Sequence, residues 1–216
     1  PFDEFAKEWL DTYVPNLKPA TAVGWRHILK LRLLPRFGSW RLDEIGAEDI
    51  ERYKADLKKT NLAPSTVNKD LIVLRRLLRV AQEWKRLTVV PKVKCFPEPP
   101  GRRDFLSCDE SEHLLADHSD PVAHEMALVA LRTGVRIGEL LALDWSDIDF
   151  ERCTLTVRHA FSAGVLCSPK SGKLRQIPLT RDVLLALERR HEPAGFLFRA
   201  RPYRAMSEFA SYSRLR

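Results

Sequence analysis

The four cysteines of this 216-residue chain, Cys95, Cys108, Cys153 and Cys167, form no C-x-x-C pair, and none of the six histidines stands in ligand spacing with them. A structural zinc site needs clustered thiolates or imidazoles, so no metal is expected. A disulfide scaffold is not expected at this length either, and four reduced thiols suggest a cytoplasmic protein. No apolar run approaches the ~20 residues that a membrane-spanning helix needs, so a span of that kind is excluded. The N-terminus has no basic–apolar–small pattern, and no targeting segment is read there. Pro1 is not an initiating residue, so residues upstream of it are expected. Fixed-period repeats and low-complexity tracts are also missing. What remains, 44% hydrophobic and 30% charged, suits one large globular domain or two small ones.

The positive charge is unevenly spread. Residues 1–100 hold 19 Lys+Arg against 13 Asp+Glu, while residues 101–216 hold 17 against 16. A basic N-terminal half attracts polyanions, nucleic acid first among them, although a solubilising surface would have the same sign. Between the halves, Val89–Arg103 carries Pro91, Pro97, Pro99 and Pro100 before Gly101. Such a run cannot be helical and favours an extended path. The expected organisation is a helical domain over 1–88, a proline-rich linker over 89–103 and a mixed domain over 104–216.

The first domain reads as four helices. Phe2, Phe5, Trp9 and Tyr13 recur at helical spacing, and Pro19 opens a second helix to about Leu33, which Pro35 and Gly38 should break. A third runs from about Glu48 to Lys58 and a fourth from about Ser65 to Lys85. On the fourth, Val67, Leu71, Leu74, Leu78 and Ala81 share one side, flanked by Leu77 and Trp84. The opposite arc collects Asn68, Lys69, Arg75, Arg76, Arg79 and Arg86, and only Asp70 and Glu83 dilute the helix with acid. Arg26 and Lys30 form a second basic pair. Arg suits bidentate phosphate contact better than Lys, so the stripe is a candidate duplex-binding face, with a merely solvated face as the alternative.

The second domain mixes helices and strands. Ser107 and Glu110 form a capping box for a helix to about Ala116. Val122–Leu131 is apolar on nearly every side and should be buried. Helix Arg136–Leu143 follows a turn at Thr133–Gly134. Strands are expected over Cys153–His159, Gly164–Cys167 and Leu174–Leu179, the last two flanking a hairpin tip at Ser168–Lys173. A helix over about Arg181–Arg190 and a short apolar Phe196–Phe198 come after them. Two places here could carry chemistry. Arg136 begins a helix, where unpaired N–H groups already favour anions. Its bland alternative is an i, i+3 pair with Glu139, and the two are compatible if Glu139 orients Arg136. The other is Lys170 on the turn, with Lys173 and Arg175 nearby, where a simple hydrophilic turn is the alternative.

Taken together, these motifs resemble the tyrosine recombinase (phage integrase) family. T-G-V-R-I-G-E-L-L-A-L-D-W-S-D-I-D resembles its first-arginine motif, and S-P-K-S-G-K-L-R-Q-I-P-L-T its β-hairpin lysine segment. L-L-P-R-F-G-S-W-R-L-D-E-I and L-A-P-S-T-V-N-K-D-L look like parts of its core-binding domain. The resemblance implies a mainly α fold with a small antiparallel sheet: a four-helix SAM-like domain followed by the first part of an α+β catalytic domain. It implies site-specific recombination or integration through a 3′-phosphotyrosyl intermediate, without metal, cofactor or small-molecule substrate. Arg136 and Lys170 would be catalytic, with Glu139 in support. Arg26, Lys30, Thr66, Lys69, Arg75, Arg76, Arg79, Lys173 and Arg175 would contact DNA.

The implied partner is a double-stranded recombination site, bound by a homotetramer in the complete protein. The implied location is the cytoplasm, on the bacterial nucleoid or phage-encoded in a bacterial host. The family's His-x-x-Arg motif has no counterpart here: none of the six histidines is followed three residues later by Arg. Tyr203 and Tyr212 lie too early to be the nucleophile, and Met206–Tyr212 looks like the start of the helix before the missing segment. The 216 residues are therefore expected to bind DNA without cutting it. The alternative is a non-catalytic relative that occupies recombination sites.

Overall fold

The computed structural model describes residues 1–99, 101, 104–117, 120–190, 192 and 194–198. Tyr203, Tyr212 and the expected helix start at Met206 lie outside these residues. The chain divides into two compact units, Pro1–Arg103 and Asp104–Arg216, each with its own apolar core. No helix among the described residues is long and apolar enough to cross a membrane.

Unit 1 is helical. Helix α1 (Phe2–Thr12) buries Phe2, Phe5, Ala6 and Trp9 and carries Asp3 and Glu4 in its first turn, where acids complement the helix dipole. Helix α2 (Pro19–Ile28) does not stop before Pro35. It runs through a π-helical turn, Leu29–Leu33, into α3 (Leu34–Phe37). Proline has no N–H and its ring clashes with the carbonyl four residues back. Widening the preceding turn, with Leu34 N–H bonded to Leu29 O, lets the helix carry on past it. Helix α4 (Ala47–Lys59) has acids in its first turn and lysines in its last. The 20-residue α5 (Pro64–Glu83) starts on a proline, whose missing N–H costs nothing at that position.

The buried side of α5 is wider than its periodicity suggests. Val73 and Val80 join the expected leucines, and so do two polar residues. Asn68, expected on the outer arc, is buried: its amide bonds the Phe96 backbone in both directions and reaches Glu98. The 89–99 segment is non-helical, as its prolines require, yet it is fastened to unit 1 through Val93 and Phe96. Asp70, on the apolar side of the helix, is fully buried, 2.6 Å from Arg32 Nε and accepting from Tyr53 OH at 3.1 Å.

Unit 2 opens with α6 (Cys108–Ala116), where Ser107 and Glu110 form the expected capping box. Helix α7 (Pro121–Thr133) starts under an Asp120 cap and ends at Gly134 with φ of +64°, a left-handed residue suited to glycine. Its burial falls short of expectation, for only Leu128 and Val129 are fully covered by the described residues. Helix α8 is four residues, Ile137–Leu140. Strands β1 (Ile148–Asp149), β2 (Thr154–Val157) and β5 (Arg175–Pro178) form one antiparallel sheet, β3 (Ala160–Ser162) and β4 (Val165–Cys167) another. Helix α9 (Arg181–Glu188) packs on α7. Arg132 ties α7 to both α9 and α6 through Asp182 and Glu112.

The strand pairing differs from the expected hairpin. β4 pairs with β3 across a tight Ala163–Gly164 turn, and β5 pairs back with β2. Ser168–Lys173 is therefore a loop between two sheets rather than the tip of a paired hairpin. Two backbone residues with positive φ, Ala163 and Gly164, mark the true turn.

Candidate active site and nucleic-acid interface

Glu139 is the centre of the site in unit 2. Its side chain is 1% exposed and accepts four N–H bonds. Two come from Arg136: the backbone N–H to Oε2 at 2.8 Å and Nη1 to Oε1 at 3.0 Å. The other two are a parallel fork from Arg175, Nη1 to Oε1 at 3.0 Å and Nη2 to Oε2 at 2.6 Å. Arg175's bonds are the main reason the Glu139 carboxyl is pulled down to about 2; burial opposes the shift and the Arg136 bonds add to it.

That arrangement corrects the expected origin of Arg136's anion affinity. Arg136 precedes a helix of only four residues, and the Glu139 carboxylate already occupies the amide at its start. The guanidinium, 58% exposed, is what remains available to an outside anion. Its helix is pressed against β3: a Cβ on Gly138 would lie 2.5 Å from the Phe161 carbonyl oxygen, so only glycine permits this approach.

Lys170 and Lys173 are exposed on the 168–174 loop. A Pro169–Gly172 backbone bond of 2.9 Å folds that loop, with Gly172 at φ +69°. Arg175, expected among the DNA contacts, is the residue where this loop meets Glu139. Thus Arg136, Glu139 and Arg175 are brought together, and the Lys170 loop is anchored at the same place.

The sequence contained one signal for the fork that periodicity alone overlooks. On β5 the side chains alternate, with Arg175 and Ile177 half-buried and Gln176 and Pro178 exposed. An arginine sharing the inward side with Ile177 is a cue for an acid partner.

The cations expected on the DNA face of unit 1 divide in two. Arg26, Lys30, Lys69 and Arg79 are exposed and Arg75 half-exposed, and none forms an ion pair with a described residue. Thr66 lies half-buried near the start of α5. Arg76 differs. Its guanidinium stacks 5.0 Å from the Tyr13 ring centroid, and its Nε donates to Tyr13 OH at 2.7 Å. Tyr13 in turn stacks on Trp9, and Trp9 on Trp25. Arg76 is committed to this column and has fewer donors to offer. Helices α2 and α5 pack together, so Arg26 and Lys30 stand on the neighbour of the helix that carries Lys69, Arg75 and Arg79.

Acid should expose the Glu139 cluster. Its folded carboxyl titrates near 2 against an ordinary 4.5, so its contribution is complete above the ordinary value and lost as pH falls toward the folded one. The loss amounts to roughly 2–4 kcal/mol. Thermal melts of wild type and Glu139→Gln across that range should converge as pH falls; parallel profiles would contradict the assignment.

Residues 1–58 match the model of the phage integrase N-terminal SAM-like domain, and residues 105–215 match the phage integrase family model. The chain belongs to the phage integrase family. Among curated integrases, it is 32% identical over 133 residues to a putative integrase/recombinase, y4eF, of Sinorhizobium fredii, covering 58% of this chain and 51% of that protein. It is 25% identical over 197 residues to the ICEBs1 integrase of Bacillus subtilis, covering 84% and 52%. This chain therefore spans about half the length of these relatives. Two solved integrases share the fold. The Tn1549 transposon integrase in complex with a circular intermediate DNA superposes with a TM-score of 0.72 at 23% identity, covering 87% of this chain and 63% of that one. A lambda integrase dimer bound to a core site superposes at 0.60 and 20%, covering 85% and 68%. The mainly helical architecture with small antiparallel sheets is thus the integrase fold.

Proposed function

We propose that this chain is the duplex-binding and phosphate-activating portion of a tyrosine recombinase that performs site-specific DNA recombination or integration. The observation that carries this reading is Arg136, held by its backbone and one guanidinium nitrogen on buried Glu139 while most of the guanidinium faces out. In the complete protein a tyrosine would attack a DNA phosphodiester, forming a 3′-phosphotyrosyl bond and releasing a 5′-hydroxyl. Arg136 would bind non-bridging oxygens and stabilise the charge that builds on the pentacoordinate phosphorus. Lys170 would donate a proton to the departing 5′-oxygen. Arg26, Lys30, Thr66, Lys69, Arg75, Arg79 and, in part, Arg76 would hold the duplex backbone, with Lys173 beside the cleaved strand. Residues 1–88 would act as the core-binding domain, 89–103 as the linker and 104–216 as part of the catalytic domain. The complete protein would assemble as a homotetramer on two duplexes. With no His-x-x-Arg motif in these 216 residues, the chain alone would bind DNA without cleaving it.

Duplex binding by the 216-residue chain tests this directly. Log K should fall linearly with log salt, and Arg75→Gln/Arg79→Gln should weaken binding and flatten the slope by about 0.9 for each phosphate that is no longer neutralised. Salt-independent binding, or a double variant indistinguishable from wild type, would remove unit 1 from the DNA interface. Reading the coding sequence beyond Arg216 tests the catalytic half: a His-x-x-Arg motif followed by a tyrosine is the expected result.

A further inference from the structure

Arg175 does not look like a phosphate ligand. It sits on the inward side of β5, one third exposed, and each of its terminal nitrogens gives an N–H to Glu139. The charge balance of the cluster explains why such an arginine is needed. Glu139 alone beside Arg136 would be a buried carboxylate whose natural counter-ion is Arg136 itself. A 1:1 pair would draw the Arg136 guanidinium onto the carboxylate and leave no excess charge for an outside anion. With Arg175 forked onto both oxygens, the three groups carry a net single positive charge. The excess sits on Arg136, the most exposed of the three at 58% against 33% for Arg175 and 1% for Glu139.

The fork also has a mechanical side. Arg175 is the first residue of β5, and the 168–174 loop that carries Lys170 ends on it. Binding Glu139 on α8 thus fixes one end of that loop to the element that starts at Arg136. A planar, bidentate guanidinium holds both oxygens of a carboxylate in a fixed orientation, which a lysine ammonium cannot do.

We propose that Arg175 is a positioning residue: its fork on Glu139 offsets the buried carboxylate, keeps the Arg136 guanidinium available to phosphate, and anchors the Lys170 loop beside it. This rests on the reading of Arg136 as the phosphate-binding arginine, and removes Arg175 from the residues that touch DNA.

The test uses the 216-residue chain with nitrogen-15 arginine and carbon-13 glutamate labels, wild type and with Arg175→Met or Arg175→Lys, each checked for folding by its melt. Inorganic phosphate is titrated while the Arg136 Nε–H resonance is followed, and the Glu139 carboxyl is titrated with acid. Arg175→Met should weaken phosphate binding at Arg136 by roughly tenfold or more, the scale of one charge-assisted hydrogen bond. It should also raise the Glu139 midpoint. Arg175→Lys should recover the midpoint in part, because the charge returns, but not the phosphate affinity, because the fork does not. Undiminished phosphate binding at Arg136 in a folded Arg175→Met variant would overturn the proposal. So would loss of duplex affinity and salt slope with the Arg136 and Glu139 resonances unmoved, which would make Arg175 a direct DNA contact. If wild-type Arg136 ignores phosphate, the recombinase reading of Arg136 fails. An unmoved Glu139 midpoint in Arg175→Met would then refute the fork as well, and a raised one would uphold it.

Discussion

Replacing Arg136 by alanine should lower strand cleavage by the complete recombinase by at least about 10²–10³-fold, the cost of removing one preorganised donor from a developing oxyanion. Duplex affinity should change little. Arg136 gives its backbone N–H and a single guanidinium contact to Glu139, so most of its donors are unspent until a phosphate arrives. Binding, on the proposed reading, would draw on the spread of cations on α2, its π turn and α5, which the substitution leaves in place. Fold should survive too, because the Arg175 fork still satisfies both Glu139 oxygens. Single-turnover cleavage of a labelled duplex at saturating protein, read beside a binding isotherm, separates the two effects. Cleavage within tenfold of wild type would strip Arg136 of its assigned role, and a matching loss of affinity would make it a binding residue only.

The second large effect is expected in unit 1, far along the chain from any chemistry. Asp70→Ala should destabilise this unit by about 3–5 kcal/mol, the cost of breaking a buried ion pair from one side. Asp70 is fully buried against Arg32 and Tyr53, and its second oxygen, Oδ1, has no hydrogen-bond partner among the described residues. Burial and the adjacent carboxylate raise the Tyr53 hydroxyl well above its ordinary range, so Tyr53 stays a neutral donor to Asp70. Removing the carboxylate strands Arg32 and that hydroxyl together.

The control is the double replacement Arg32→Met/Asp70→Leu. It removes both charges and should recover part of the loss, since well-packed apolar residues commonly match a buried pair while the Tyr53 hydroxyl stays without its acceptor. Chemical denaturation of the three proteins decides the matter. A single variant costing under about 1 kcal/mol would mean water reaches the pair. Duplex binding should follow stability here, because Arg32 belongs to the π turn that continues α2, and its tie to α5 holds the two cationic helices together.

Much of this is legible in the amino-acid sequence. The helices of unit 1 follow from apolar residues at helical spacing, and the capping box at Ser107–Glu110 from residue type and spacing alone. Both are local, because neighbours along one helix decide them. Arg136 and Lys170 are legible as motif positions for the same reason: each sits in a short contiguous segment. Periodicity errs wherever a polar side chain turns inward to meet something distant in sequence. Asn68 falls on the polar arc and is buried because Phe96 arrives from elsewhere, while Asp70 falls on the apolar side, where only the fold supplies its partners Arg32 and Tyr53.

Strand pairing follows the same division. The residues of β4 and β5 occur nearly where their patterns place them, but which strand each one joins depends on the Ala163–Gly164 turn and the register of β2. The loop carrying Lys170 therefore reads as a hairpin tip when it links two sheets. Local patterning, then, set most of the elements, the basic helix and the two motif segments around Arg136 and Lys170, because each depends on residues within a few turns or strand lengths of one another. Folding settled the electrostatics. Glu139 and Arg175 are 36 residues apart, and a carboxylate's charge, burial and counter-ions are set by what surrounds it in space. That is why Arg175, expected among the DNA contacts, is found forked on the buried Glu139 carboxylate.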